Sequence, residues 1–295
     1  MPNLTSQSLA RRLVVPFAMS VLAFTTVLIA TYVLRAVPRL GDQASAGTIA
    51  KLILLSVPFI VAMTIPMAVF VAVLWACTRL GTELGIDVGR QERGGLRGVL
   101  MPVIGFATGV AALMLVWNAE LLPRANARLV EVMAPGTSAR SDRTMTLGEL
   151  RAAARVARAD VSAGAAAARQ VARYEVEAQK KLSLATACLA LALAAAAIGL
   201  RFPRGGAPLV VVTSLVVFGA YYACIITGEM LANQLVVSPL IGMWTPNVLL
   251  AIAACLAIWR GGPRGAPRGA LASSTSPERA GNATNDSTHL AFALR

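Results

Sequence analysis

The chain is poor in the side chains that catalysis, metal binding and nucleic-acid recognition draw on. It holds one histidine, His289, which forms neither a ligand cluster nor a triad motif. Its four cysteines, Cys77, Cys188, Cys224 and Cys255, fall in or beside apolar runs and far apart, a spacing that suits neither a disulfide framework nor a zinc site. They read as small packing residues, and no metal or cofactor is expected. Lysine occurs only at positions 51, 180 and 181, and no G-x-x-x-x-G-K-[ST] run is present, so the chain carries no phosphate-binding loop of an ATPase. Charged residues are 14% and aromatics 5% of the sequence. The net charge of +13 comes from basic residues placed beside apolar blocks, with no aromatic-rich basic domain on which bases would stack, which excludes nucleic acid as a partner.

What the chain has is long hydrophobic runs. Hydrophobic residues make up 57% of it, grouped in blocks. A helix needs about 20 mainly apolar residues to span the hydrocarbon core. Segments 13–34, 52–77, 99–117, 182–200, 209–231 and 240–259 meet or approach that length. The first follows Arg11 and Arg12 but is too long for a signal h-region and lacks a small-residue cleavage site, so it reads as an uncleaved anchor. The sixth is the weakest: the run after Pro246 is short unless its helix begins before Trp244. The fold expected is an all-α polytopic membrane protein, with six transmembrane helices in a 3+3 arrangement around a long extracytoplasmic helical segment.

The expected divisions are 1–119 for the first transmembrane half, 120–181 for the helical connector, 182–260 for the second half and 261–295 for a disordered cytoplasmic tail. The tail is rich in Gly, Pro, Ser and Ala and has little to bury. Long segments cross a membrane largely regardless of charge. With 120–181 set aside, the face that includes the N-terminus carries 13 basic residues against 3 on the other. Both termini are therefore expected inside.

Between the second and third apolar blocks lies RLGTELGIDVGRQERGG, residues 79–95. On a helix Glu83, Asp87 and Arg90 share one face and Leu84 and Val88 another. An amphipathic helix with an acidic patch fits a basic groove on a partner. Gly81, Gly85 and Gly89 each cost about 1 kcal/mol relative to alanine in a helix interior, so this helix is expected to be marginal alone and ordered by docking.

Residues 58–133 resemble the LptF/LptG-type permeases of the lipopolysaccharide exporter. The resemblance rests on Pro66, Arg79, Leu80, Glu83, Leu84, Gly94, Pro102, Pro123, Ala125 and Asn126, then on MTLGELRAAA, YEVEAQKKLSLATACLAL and a closing span with Pro239, Trp244, Pro246 and Asn247. It runs in order over roughly 10–260. The family carries a β-jellyroll between its third and fourth spans, and here only APGTSARSDR stands in that place. The resemblance implies a permease subunit that extracts lipopolysaccharide or a related lipid from the inner membrane. Its implied partners are a cytoplasmic ABC ATPase, a second permease subunit, a periplasmic bridge protein and the lipid itself. It makes 79–95 the coupling helix, with Glu83 the leading contact beside Leu84, Asp87, Val88 and Arg90. The alternative is a non-transporting scaffold or regulatory subunit derived from the same family.

Candidate lipid contacts come next. Arg35 and Arg39 stand where the first span meets the outer interface, where the resemblance implies contact with lipid phosphates. Thr146 and Glu149 have capping-box spacing at the start of an outer helix. Arg151, Arg155 and Arg158 fall on one face of that helix, and Arg169, Arg173, Glu177 and Lys181 recur in steps of four. Such stripes suit anionic headgroups as well as plain solvation. Glu229 is the one acid inside an apolar block, a costly placement that often serves function.

Overall fold

The computed structural model describes residues 6–40, 45–83, 93–133, 142–159, 164–202 and 205–260. The described residues belong to one compact unit, and they contain helices and turns but no strand. In chain order the elements are α1 (Ser6–Leu40), α2 (Ala46–Glu83), α3 (Arg93–Val116), a π-helical turn (Trp117–Leu121), α4 (Leu122–Met133), a 3-10 turn (Asp142–Thr144), α5 (Leu147–Ala159), α6 (Gly164–Arg201), α7 (Gly206–Asn233) and α8 (Pro239–Arg260). Six of these helices are long and apolar enough to cross a membrane.

Every expected span sits inside a longer helical stretch, the third running from α3 into the π turn. The reason is that helix geometry continues past the bilayer, where nothing apolar marks it. α6 is the clearest instance: its 38 residues extend about 57 Å at a ~1.5 Å rise, against roughly 30 Å of hydrocarbon. Its polar first half therefore projects beyond the expected apolar run 182–200. The sixth span begins well before Trp244, at Pro239. Ser238 Oγ accepts the Ile241 amide at 3.3 Å, and proline in the first helical position loses no hydrogen bond there.

α6 is the centre of the bundle and packs on α2, α3, α5 and α8. Its run ATACLALALAAAAIGL is almost wholly buried, because alanines let neighbouring backbones approach. A Cβ on Gly199 would stand 2.6 Å from Cys77 Cβ and 3.2 Å from the Leu74 carbonyl oxygen, so only glycine fits against α2. α7 and α8 meet through two glycines: a Cβ on Gly242 would lie 2.7 Å from the Gly228 carbonyl oxygen, and one on Gly228 would collide with Gly242. Phe70, Val69, Val73, Leu74, Val103, Met114 and Leu191 fill the space between helices. By contrast α1 buries only 6% of its apolar length, leaving Met19, Leu22, Val27 and Leu34 on the surface.

α2 continues through Pro58 and Pro66. Proline withdraws a backbone donor from the ladder and so frees the carbonyl four residues earlier, while two side chains from other helices bond to α2 carbonyls close by. Trp117 Nε1 donates to the Pro58 carbonyl at 3.1 Å, and Tyr222 OH to the Met63 carbonyl at 3.2 Å.

Candidate functional site

The polar side chains concentrate at the end of the bundle that carries the connector. There α5 starts with the capping box anticipated from its sequence. The Thr146 amide donates to Glu149 Oε2 at 2.8 Å, and the Glu149 amide donates to Thr146 Oγ1 at 3.3 Å. Asn126 on α4 donates to the Arg143 carbonyl at 3.1 Å and ties that helix to the turn ahead of α5. Lys181 is buried on α6, and its ammonium donates to the Met145 carbonyl. The Lys181 carbonyl receives Asn118 Nδ2 at 3.5 Å. Asn118 lies in the π turn, where one extra residue per turn rotates a side chain inward, and its buried Oδ1 has no hydrogen-bond partner among the described residues. Two of these contacts hold segment 120–181 together, and the third, from Asn118, ties it to the bundle.

Beside this lock stands a charge cluster. Lys180 Nζ lies 2.7 Å from Glu229 Oε2 and 3.6 Å from Glu177 Oε2, all three side chains largely shielded. Glu229 on α7 thus has a cation opposite it. The pairing was not visible in sequence, since 49 positions separate Lys180 from Glu229; only the match of one in-span acid to a lysine beside a span hinted at it. Trp244 Nε1 donates to Gln179 Oε1 at 3.0 Å, joining α8 to α6 at the same level.

One turn deeper, a hydrogen-bonded network crosses three spans. Ser183 Oγ donates to the Met243 carbonyl at 2.6 Å. Asn247 Nδ2 donates to the Ser183 carbonyl at 2.9 Å, Ser183 Oγ at 3.0 Å and Thr186 Oγ1 at 3.1 Å, and Asn247 Oδ1 accepts Tyr221 OH at 3.0 Å. Both hydroxyls give their protons to backbone carbonyls and receive the amide's, so every member is used.

The residues singled out from sequence fall in different places. Arg169 and Arg173 are exposed on the projecting half of α6, whereas Glu177 and Lys181, next along the same stripe, turn into the protein. The stripe therefore divides into a solvent-facing part and a locking part. Arg35 is exposed at the end of the apolar length of α1. Arg39 falls in the same helix, with its side chain outside the described residues. At the opposite end of the bundle, Arg79 lies over the Trp75 ring at 5.0 Å, a cation–π contact. Beyond it α2 runs to Glu83, whose side chain, together with Leu84, Asp87, Val88 and Arg90, lies outside the described residues, as does the tail 261–295. Among the described residues no group of three or more His, Cys, Asp or Glu side chains is placed to hold a metal ion.

Among the described residues the arrangement brings together cations, amides and apolar surface. A comparison with curated proteins finds no match. A comparison with protein families matches residues 7–138 and 134–260 to the lipopolysaccharide export system permease LptF/LptG. The two matched segments overlap at 134–138 and together run over residues 7–260. With six apolar helices, a Pro-x-Ala-Asn exit that pins the connector and a Trp-x-Pro-Asn span centred on the Asn247 network, the chain belongs to the LptF/LptG family of lipopolysaccharide export permeases.

Proposed function

We propose that this protein is the membrane subunit of an ATP-driven exporter that extracts lipopolysaccharide or a related lipid from the inner membrane. The family match over residues 7–260 carries the reading. LptF/LptG proteins are transport permeases of the inner membrane and work within an ABC transporter beside an ATPase and a paired permease. In this chain hydrolysis is assigned to a cytoplasmic ABC ATPase, and a second permease, paralogue or copy, completes the lipid cavity. The uncovered apolar length of α1 supports a bundle that meets lipid or another helical subunit there. Both termini are assigned to the cytoplasm and 120–181 to the far side, where a periplasmic bridge protein would receive the lipid.

In this reading residues 79–95 couple the permease to the ATPase, with Glu83, Leu84, Asp87, Val88 and Arg90 at the contact. Arg35, Arg39, Arg169 and Arg173 meet lipid headgroups, since a guanidinium forms paired, charge-assisted bonds with phosphate. Glu229, near the end of α7, holds that helix to the middle of α6 through Lys180. The chain, tagged in its native host and purified from gently solubilised membranes, should bring with it an ABC ATPase and a second six-span permease, identified by mass spectrometry. Glu83→Arg should lower the recovered ATPase several-fold, and unchanged recovery removes Glu83 from the coupling role. Arg35→Glu with Arg39→Glu should weaken lipid-stimulated hydrolysis by the complex. A complex whose hydrolysis ignores lipid altogether identifies the chain as a scaffold.

A further inference from the structure

The outer surface of the connector carries a cavity that neither the coupling segment nor the span network explains. It lies between α5, α6 and the start of α8, encloses about 310 Å³, and is walled by Arg151, Arg155 and Arg158 over a floor that includes Leu150 and Leu182. Next to it runs a second hollow of about 480 Å³, lined by Ala167, Ala168, Val171 and Leu235. The two share Arg158, Glu175 and Pro239 as a common wall. Each lies within the ~300–1,000 Å³ typical of ligand sites.

The chemistry of the pair is amphiphilic. Arg158 is paired with Glu175, which neutralises the one carboxylate in the wall. Arg151 and Arg155, exposed on α5, have no carboxylate against them among the described residues, and they leave the basic cavity with two positive charges. Apart from the paired Arg158 and Glu175, the lining of the adjoining hollow is apolar. Leu235 bounds it in the left-handed region at φ 63°, where a branched side chain costs about 1–2 kcal/mol. That backbone carries Leu235 and Val236 outward, continuous with Leu240 and Ile241 on the exposed first turn of α8. An apolar rim at the beginning of a membrane span leads toward acyl chains.

We propose that these joined hollows bind an anionic phospholipid, its phosphate on Arg151 and Arg155 and an acyl chain along Ala168, Val171 and Leu235. The site lies where α5 and α6 meet the start of α8 and uses none of the proposed ATPase-contact residues, so it stands or falls separately from the exporter reading. Two guanidiniums on one phosphate, with an aliphatic trough beside them, favour a lipid over an acidic peptide, which would leave the trough empty.

The test uses the full-length protein alone in mild detergent. Its affinity is measured for phosphatidylglycerol, for phosphatidylcholine with the same chains, for inorganic phosphate and for a hexaglutamate peptide. Phosphatidylglycerol should bind at least about tenfold more tightly than the other three. Arg151→Gln with Arg155→Gln should remove about tenfold of that affinity, and Ala168→Trp, which fills the trough without altering charge, should weaken it comparably. All three positions are exposed, so the unliganded melting temperature should stay near that of the parent and serves as the folding control. Equal binding of the two phospholipids, or phosphatidylglycerol binding untouched by both variants, overturns the proposal. Saturation by inorganic phosphate at the same affinity turns the site into a free-anion site. Hexaglutamate binding that outcompetes the lipid reassigns it to a protein partner.

Discussion

Asn247 joins more spans than any other polar residue in the network, and its amide does so with no polar group left over. Tyr221, Ser183, Thr186 and the Met243 carbonyl all depend on its orientation. Hydrogen bonds between helices in a membrane average about 0.6 kcal/mol and reach about 1.7 kcal/mol. Tyr221→Phe removes one such bond and should cost within that range. Asn247→Ala removes several and leaves a buried tyrosine hydroxyl unmatched, so it should cost about 2 kcal/mol or more. Thermal unfolding of the two variants in the same detergent tests the order; equal losses would mean that the amide is not the centre. Sequence alone pointed to Asn247 as a family position but gave no hint of its partners, which lie 26 to 64 positions away. Lys180 and Glu229 pose the same problem, because charge complementarity across chain distance has no periodicity to reveal it. Their coupling should appear as about 0.5–3 kcal/mol in a cycle of Lys180→Met and Glu229→Gln. A coupling energy near zero would make Glu229 a plain interface residue.

Helices were the legible scale, because a 20-residue apolar run has few alternatives in a chain this poor in charge. Their ends were not legible wherever polar residues carried the helix beyond the membrane, as in α6. The Ser238–Pro239 start of α8 was readable in principle, since a capping serine before proline is a sequence signature of a helix N-terminus. The π turn at Trp117–Leu121 was not, as one inserted residue leaves no trace in an apolar pattern. Helix contacts were hidden for a related reason: glycines look alike in sequence and differ only in what they face. Gly228 abuts Gly242, while Gly219 on the same helix faces open space. Gly228→Ala should therefore push α7 from α8 and cost about 1–3 kcal/mol. Gly219→Ala should be neutral or stabilising by up to about 1 kcal/mol. Matched melting curves decide it, and similar behaviour of the two would contradict the close approach of the helices.

At the scale of the molecule, the arrangement turns on which side of the membrane the connector occupies. The contacts of Lys181 with Met145, Asn126 with Arg143 and Asn118 with Lys181 tie α4, the turn ahead of α5 and α6 to one another and to the π turn, so these elements share one side. The basic residues of the short segments argue that this side is outside, since positive charge is retained in the cytoplasm. Two open glycines allow a direct reading. Gly98, near the start of α3, and Gly148, in the first turn of α5, have no atom within contact distance of an added Cβ, so cysteine fits at either. In a background without Cys77, Cys188, Cys224 and Cys255, Gly148→Cys should react with a membrane-impermeant maleimide in intact spheroplasts. Gly98→Cys should react only after permeabilisation. The reverse pattern would turn the molecule over, place the connector beside the ATPase and make 79–95 face the outer compartment, where it has no nucleotide-driven partner to engage. The expected pattern instead sets the coupling segment and the anionic-lipid hollows on opposite faces, joined through α2 and α6.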